Sequence, residues 1–229
     1  MSVRRAAVAL GALAFGQAAL GAQAWTHLAA SGVRLTVAGD SLALGVGATD
    51  SSRGFAFDLF RRIRATRPSS EVTNLAIGGA TTADVVRLEL ARIASTRPDL
   101  VVVEVGANDL VRRHPARTFT ADYGRLVAGV RRAAPGSRIV LFNVPDISVS
   151  PIFEAAAKPP LRRLAVAYNA IVTGEARRSG LSVVDLFAFS ERAHADPVRY
   201  FSADQFHPSD DGHAAIADAA WPTIRAALR

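Results

Sequence analysis

The sequence predicts an α/β protein, a three-layer α/β/α sandwich with about five parallel strands in one sheet. Strand-like and helix-like segments alternate along most of the 229 residues, which is typical of right-handed β–α–β crossovers. The segment "LVVVEV" (100–105) is rich in β-branched residues, as expected for a central strand covered on both faces. Half of the residues are hydrophobic, enough for one sizeable core, and we expect a single domain over residues 25–229.

Five short segments have the composition of strands, and longer segments between them have the spacing of helices. The strands are predicted at residues 33–38, 71–77, 100–105, 138–144 and 181–187. Residues 54–68 carry apolar side chains at helical spacing, and Pro68 ends this first helix. Residues 81–98 predict a second helix, with Thr81 or Thr82 as its N-cap.

The second half of the chain continues the same alternation. A third helix is predicted over residues 120–134, before the turn "PGS". A loop over residues 145–160 leads into a fourth helix, whose apolar face carries Leu161, Leu164, Tyr168 and Ile171. The last helix is predicted to begin near Ser209, and Pro222 is expected to kink or break it.

The N-terminal segment has the layout of a secretory signal peptide. Residues 1–24 contain the pair Arg4–Arg5, then an apolar stretch, and end with Ala22-Gln23-Ala24, which fits a small-x-small cleavage site. The arginine pair also permits the twin-arginine route. The alternative is an uncleaved signal anchor attached to a membrane. We therefore expect an exported protein, either secreted or in the cell envelope.

The composition excludes several kinds of chemistry. The chain has no cysteine, which rules out disulfides, thiolate catalysis and cysteine-based zinc sites. Its net charge is +7, and Lys158 is the only lysine among the cationic residues. The arginines are spread mostly as pairs along the predicted helices, without long basic runs interleaved with aromatic residues, so nucleic acid is not an expected partner.

Polar segments follow the predicted strands. In an open parallel sheet the ligand site lies outside the carboxyl ends of the strands. Four Gly-punctuated or acidic segments fall there, or ahead of the last helix, namely "GDSL" (39–42), "NLAIGGATT" (74–82), "GANDL" (106–110) and "DQFHPSDDGH" (204–213). Independent turns explain this recurrence poorly, and a shared site explains it well.

The residue types in these segments fit acyl transfer by a serine. A serine hydroxyl needs an adjacent base, best a histidine held by a third group. Ser41 supplies the hydroxyl, His207 the base and Asp204, three residues earlier, the orienting carboxylate. The oxyanion of the tetrahedral intermediate needs donors. The Ser41 N–H, the Gly79 N–H and the Asn108 side-chain amide could supply them.

The four segments resemble, in order, the four signature blocks of the SGNH (GDSL) hydrolases. The resemblance runs from about residue 39 to the final helix. It implies a flavodoxin-like fold, the same five site residues in the same roles, and no metal or organic cofactor. Gly79 is preferred to Gly78 because it lies five residues after Asn74, as the family glycine does.

Each site residue also has a purely structural interpretation. Ser41 could be a turn serine, Asp204 a turn cap, and Asn108 a turn residue beside an N-capping Asp109. Asp40 is expected to order the loop around Ser41 through its backbone rather than act as a base.

The remaining histidines are weaker candidates for the base. His213 falls in the last helix, where packing or capping is expected, and His114 lies near the site without an assigned role. His27 and His194 are expected at the surface.

A metal site could be built from Asp204, His207, Asp210 and His213. We do not favour it, because it would leave the serine, the glycine and the asparagine without a purpose.

The predicted substrate is a small acyl ester: lipid, lysophospholipid, thioester or aryl ester. The segment "PDISVSPIFEAAA" (145–157) is apolar enough to contact an acyl chain and to serve as a lid. A carbohydrate O-acetyl esterase is the alternative within this class, although Trp25 and Trp221 are the only tryptophans available for sugar stacking.

Two alternatives belong to other classes. One is a non-catalytic flavodoxin-like module that binds phosphate in its Gly-rich loops, but the glycines fit neither the P-loop nor the dinucleotide fingerprint. The other is a partner-binding protein that retains the fold without turnover.

Overall fold

The computed structural model describes residues 32–229. The predictions for residues 1–24, Trp25 and His27 fall outside this range. Five parallel strands form one sheet: β1 (Arg34–Gly39), β2 (Glu71–Asn74), β3 (Leu100–Glu104), β4 (Arg138–Phe142) and β5 (Ser182–Val184). Their order is β2-β1-β3-β4-β5, which is the flavodoxin-like order. The predicted fold class is confirmed.

The helices of the described chain lie between and around these strands. They are α1 (Ser41–Leu44), α2 (Phe55–Thr66), α3 (Thr82–Leu88), α4 (Leu90–Thr96), α5 (Ala107–Val111), α6 (Ala116–Ala133), α7 (Lys158–Ser179), α8 (Leu186–Ala195), α9 (Pro197–Tyr200) and α10 (Asp210–Ala227). Single 3-10 turns occur at Ser51–Arg53 and Ile147–Val149. None of these helices is both long and apolar enough to cross a lipid bilayer.

The sheet separates two hydrophobic cores. Alternate residues of β3 point to opposite faces, so Val101 and Val103 pack with α3, α4, α6 and α7, whereas Leu100 and Val102 pack with α2, α8 and α10. All five β3 residues are buried, as expected for a central strand covered on both sides. The carboxyl ends of β1 and β3 therefore meet at one edge, where residue 39 pairs with residue 104.

Three predicted helices differ from the prediction, and residues 186–187, predicted as the end of the fifth strand, begin α8. The helix predicted over residues 81–98 is two helices, and the residue between them, Glu89, accepts the Gly39 N–H with its carboxylate. α6 begins after Pro115, four residues earlier than predicted. α10 continues through Pro222, since the carbonyl that loses its helical donor belongs to Asp218, whose side chain is exposed.

Candidate active site

A sharp turn at the end of β1 presents Ser41 at the start of α1. Gly39 has φ +147, and a Cβ there would lie 1.7 Å from the Glu104 carbonyl oxygen, so only glycine fits. Asp40 is fully buried and caps α1, because its Oδ1 accepts the Leu42 N–H at 3.0 Å. The predicted ordering role of Asp40 thus works through its side chain as well as its backbone.

The structure brings Ser41, His207 and Asp204 into one hydrogen-bonded chain. The Ser41 Oγ lies 2.9 Å from His207 Nε2, although the two residues are far apart in sequence. On the other side of the ring, His207 Nδ1 lies 2.6 Å from Asp204 Oδ2. A carboxylate partner favours a proton on Nδ1, which leaves Nε2 free to accept the serine proton.

The carboxylate of Asp204 is held by its own turn. Its Oδ1 accepts the N–H groups of Phe206 and His207, each at 2.9 Å, and the Ser202 hydroxyl at 2.8 Å. Burial acts to raise the pKa of Asp204, but the hydrogen bonds from His207 and from these donors outweigh it and hold the pKa well below its usual range. Asp204 therefore stays ionised at neutral pH and can stabilise a positively charged imidazole.

The three predicted oxyanion donors differ in their surroundings. Neither the Ser41 N–H nor the Gly79 N–H donates to an acceptor within residues 32–229. Gly79 has φ +79, and the place of its missing side chain is open space, so substrate could approach its backbone. The Asn108 amide donates to Ala80 O at 3.1 Å and, at 3.3 Å, to Asp40 Oδ2. Asn108 thus joins the loops after β1, β2 and β3.

The alternative residues have structural partners. His213 is buried; its Nδ1 accepts the Phe55 N–H and its Nε2 lies 3.0 Å from Val46 O, so its predicted packing role is confirmed. Asp109 does not cap its own helix: its Oδ2 accepts the N–H of Thr82 at the start of α3. His114 bonds to Asp109 Oδ1. Within residues 32–229, no group of three or more acidic, histidine or cysteine side chains is arranged to hold a metal ion.

The sequence analysis did not identify two buried carboxyl groups at the site. Glu89 and Glu104 are, like Asp40, fully buried. Both residues stand out in the sequence. Glu104 interrupts the apolar run of β3. Glu89 lies four residues from both Val85 and Ile93, on a helical face that is buried. A carboxyl group on an apolar face needs a specific partner.

The burial of Glu89 predicts a dependence of stability on pH. Burial raises the pKa of Glu89 to about 7, despite the Gly39 N–H and the nearby Arg92. In the unfolded chain a glutamate ionises near pH 4.5. The free energy of unfolding therefore falls as the pH rises from about 4.5 to about 7, and it does not recover at higher pH. We expect Glu89→Gln to raise the free energy of unfolding at pH 8 by about 3 kcal/mol, with little change at pH 4.

Thermal unfolding followed by circular dichroism at both pH values measures this difference. The same shift at pH 4 and pH 8 would contradict a raised pKa of Glu89. Glu71→Gln, at an exposed position at the start of β2, is the control.

An apolar pocket opens beside Ser41 and His207. It contains a cavity of about 70 Å³. Its apolar lining includes Leu42, Ile147, Val149, Leu186, Phe189, Ala193, Tyr200, Phe201, Phe206 and Ile216. Part of the segment predicted to contact an acyl chain, the turn at Ile147–Val149, therefore does line a pocket next to the serine.

Comparison with known proteins identifies the family. The model of the GDSL-like lipase/acylhydrolase family matches residues 37–215. The GDSL-like esterase Rv1075c of Mycobacterium tuberculosis is 29% identical over 223 residues, which cover 90% of this chain and 66% of that protein. This chain thus spans just under two thirds of the length of that relative. Esterase TesA of Pseudomonas aeruginosa is 24% identical over 194 residues, covering 85% of this chain and 89% of TesA.

A solved structure supports the same fold. The crystal structure of Axe2, an acetylxylan esterase from Geobacillus stearothermophilus, has a TM-score of 0.69 at 22% identity, covering 85% of this chain and 95% of that one. The family match spans all four signature segments in full and reaches the last helix. The chain belongs to the GDSL-like lipase/acylhydrolase family, and this membership confirms the predicted enzyme class, a carboxylic ester hydrolase.

Proposed function

We propose that this chain hydrolyses carboxylic esters through an acyl-serine intermediate. The observation that carries the proposal is the hydrogen-bonded chain from Ser41 Oγ through His207 to Asp204, with bond lengths of 2.9 and 2.6 Å. The Ser41 N–H has no acceptor within residues 32–229 and lies at the start of α1. From there it can donate to the oxyanion of the tetrahedral intermediate.

The acylation step follows from these positions. His207 Nε2 takes the Ser41 proton as Oγ attacks the carbonyl carbon, and the carbonyl oxygen becomes an oxyanion. The Ser41 and Gly79 N–H groups donate to that oxyanion, and the Asn108 amide joins them by giving up its 3.3 Å contact with Asp40. The intermediate collapses when His207 passes its proton to the leaving alcohol. Asp204 stabilises the imidazolium throughout.

Deacylation repeats the sequence with water. His207 removes a proton from water, the resulting hydroxide attacks the acyl carbon, and the acid leaves as Ser41 regains its proton from His207. No redox step or additional co-reactant is needed.

The apolar pocket suggests the acyl group. A water molecule needs roughly 10–15 Å³ of such cavity space. The cavity of about 70 Å³ therefore takes about five waters, or an acyl group of roughly six carbons. This size favours lipid-derived, thioester or aryl esters with short to medium acyl chains; a lysophospholipid with a long chain would have to extend beyond the pocket.

A panel of p-nitrophenyl esters from acetate to palmitate tests this proposal. We expect kcat/KM to be highest between butyrate and octanoate and to fall at least about tenfold for palmitate, because the cavity cannot enclose a long chain. Turnover of no ester in the panel would contradict the proposed function. A preference for palmitate would contradict the assignment of the pocket.

A carbohydrate O-acetyl esterase is the second candidate. A small pocket also accepts an acetyl group, and the fold is shared with the acetylxylan esterase Axe2. Release of acetate from acetylated xylan faster than from p-nitrophenyl acetate would favour this candidate.

We further propose that the protein is exported, with residues 1–24 acting as a signal peptide. The alternative is attachment to a membrane by the same segment. Intact-mass analysis of protein recovered from the host distinguishes them, since cleavage after Ala24 removes the segment.

A further inference from the structure

Three buried carboxyl groups hold the segment around Ser41. Residues 39–43, here called the serine segment, have backbone N–H groups that need acceptors at the start of α1. Glu89 Oε2 accepts the N–H of residue 39 at 2.9 Å, and Asp40 Oδ1 accepts that of residue 42 at 3.0 Å. Glu104 Oε2 accepts that of residue 43 at 3.1 Å. Each carboxyl group comes from a different element, and each is fully buried.

This arrangement leaves one N–H of the serine segment for substrate. The N–H of Asp40 donates to the Glu104 carbonyl at 3.2 Å, so Glu104 contacts the segment through its backbone and its side chain. Of the five N–H groups in residues 39–43, the Ser41 N–H alone has no acceptor within residues 32–229. Glu104 therefore holds residues 40 and 43, which lie on either side of the predicted oxyanion donor.

The carboxyl groups of Asp40 and Glu104 are both fully buried, and each acts on the pKa of the other. Two ionised carboxylates that are neighbours in a buried site repel each other, so one member of the pair keeps a proton. Asp40 already accepts from two donors, the Leu42 N–H and the Asn108 amide. Glu104 accepts one N–H, and its Oε1 has no donor within residues 32–229. The proton therefore belongs on Glu104.

The surroundings support a neutral Glu104. Burial raises its pKa well above the usual range, and the nearby Asp40 and Glu89 raise it further. Tyr123 of α6 also faces it, and burial keeps that phenol neutral. His207 lies near enough to lower the pKa of Asp40. It is the basic side chain beside Asp40 and Glu104.

We propose that Glu104 is a positioning residue that works in its protonated form. Its carboxyl accepts the Ala43 N–H and donates its proton to the Asp40 carboxylate. Asp40 in turn holds the Asn108 amide in the resting site, until that amide turns to the oxyanion during acylation. Glu104 thereby fixes the Ser41 N–H and Asn108 without contacting substrate. The role rests on the proposed ester hydrolysis, and it makes the geometry of the oxyanion donors depend on a single buried proton.

Two substitutions at residue 104 separate the protonated form from the ionised one. Glu104→Gln keeps a neutral group with one acceptor and a donor toward Asp40. We expect its kcat for p-nitrophenyl butyrate to stay within about threefold of the native value at pH 6 and to decline less between pH 8 and pH 10. Glu104→Leu removes both hydrogen bonds, and we expect kcat to fall at least about tenfold with KM within about twofold.

The opposite pattern would overturn the proposal. If Glu104→Gln loses as much activity as Glu104→Leu at every pH, the ionised carboxylate is the working form. If both variants match the native enzyme across the whole pH range, Glu104 has no positioning role. Circular dichroism of each variant shows that it has folded, and Glu71→Gln at the opposite end of the sheet is the matched control.

A stability measurement tests the buried proton without ester turnover, and so separates this proposal from the proposed function. A raised folded pKa means that stability is present below the unfolded pKa and is lost as pH rises. The melting temperature of Glu104→Gln should therefore exceed the native value by more at pH 9 than at pH 4. An equal difference at both pH values would show that folding does not raise the pKa of Glu104 and would overturn the proposal.

Discussion

Ser41→Ala is expected to lower kcat for p-nitrophenyl butyrate by about four to six powers of ten, down to the level left by substrate binding and the oxyanion donors. The reason is that the substitution removes the only proposed nucleophile while leaving the backbone N–H of residue 41 in place. The Ser41 hydroxyl makes its hydrogen bond to His207, and the loss of that partly buried contact should leave the fold intact. Steady-state kinetics with purified protein, combined with thermal unfolding, measures both effects.

The matched control for this variant is Ser95→Ala. Ser95 is an exposed serine on α4 whose hydroxyl donates to the Ala91 carbonyl of its own helix. Its replacement should leave kcat and KM unchanged. Turnover of Ser41→Ala near the native rate would refute the acyl-serine route.

His207→Ala is expected to have an effect of similar size on kcat, because Ser41 would then lack the base that removes its proton. KM should change by less than about threefold, since the imidazole acts mainly in the transition state. Residues that act as one unit are not additive. The double variant Ser41→Ala/His207→Ala should therefore be no slower than either single variant, which the same kinetic assay measures.

His194→Ala provides the matched control, since His194 is an exposed histidine in α8. It should retain native kinetics. If His207→Ala keeps more than about a tenth of the native kcat, another group supplies the base. A double variant slower than the singles by the product of their effects would show that Ser41 and His207 act independently.

Most of the fold could be predicted because it depends on local patterns. The β-branched run of β3 and the helical spacing of α2 are visible in short windows of sequence, and the alternation of elements leads to a parallel sheet. The four polar segments at the strand ends then located the site. Ser41, His207 and Asp204 could be named because acyl transfer requires those residue types together.

The parts that the sequence did not predict depend on contacts between distant residues. Glu89, the residue between α3 and α4, bonds to Gly39, fifty positions away. The contact of Glu104 with Ala43 spans 61 positions. The contact of Asn108 with the Asp40 carboxylate likewise joins α5 to the turn after β1. Such pairs are set by how the strands lie side by side, and a local pattern carries no signal for them.

The central claim is that Ser41 is activated by His207. Labelling with a fluorophosphonate probe, followed by peptide mapping, tests it most directly, because an activated serine reacts covalently and a phosphate-binding loop does not. We predict one equivalent of label on the peptide that contains Ser41, with no label on Ser41→Ala and at least about a hundredfold slower labelling of His207→Ala. Equal labelling of native protein and Ser41→Ala, or native labelling of His207→Ala, would contradict the claim.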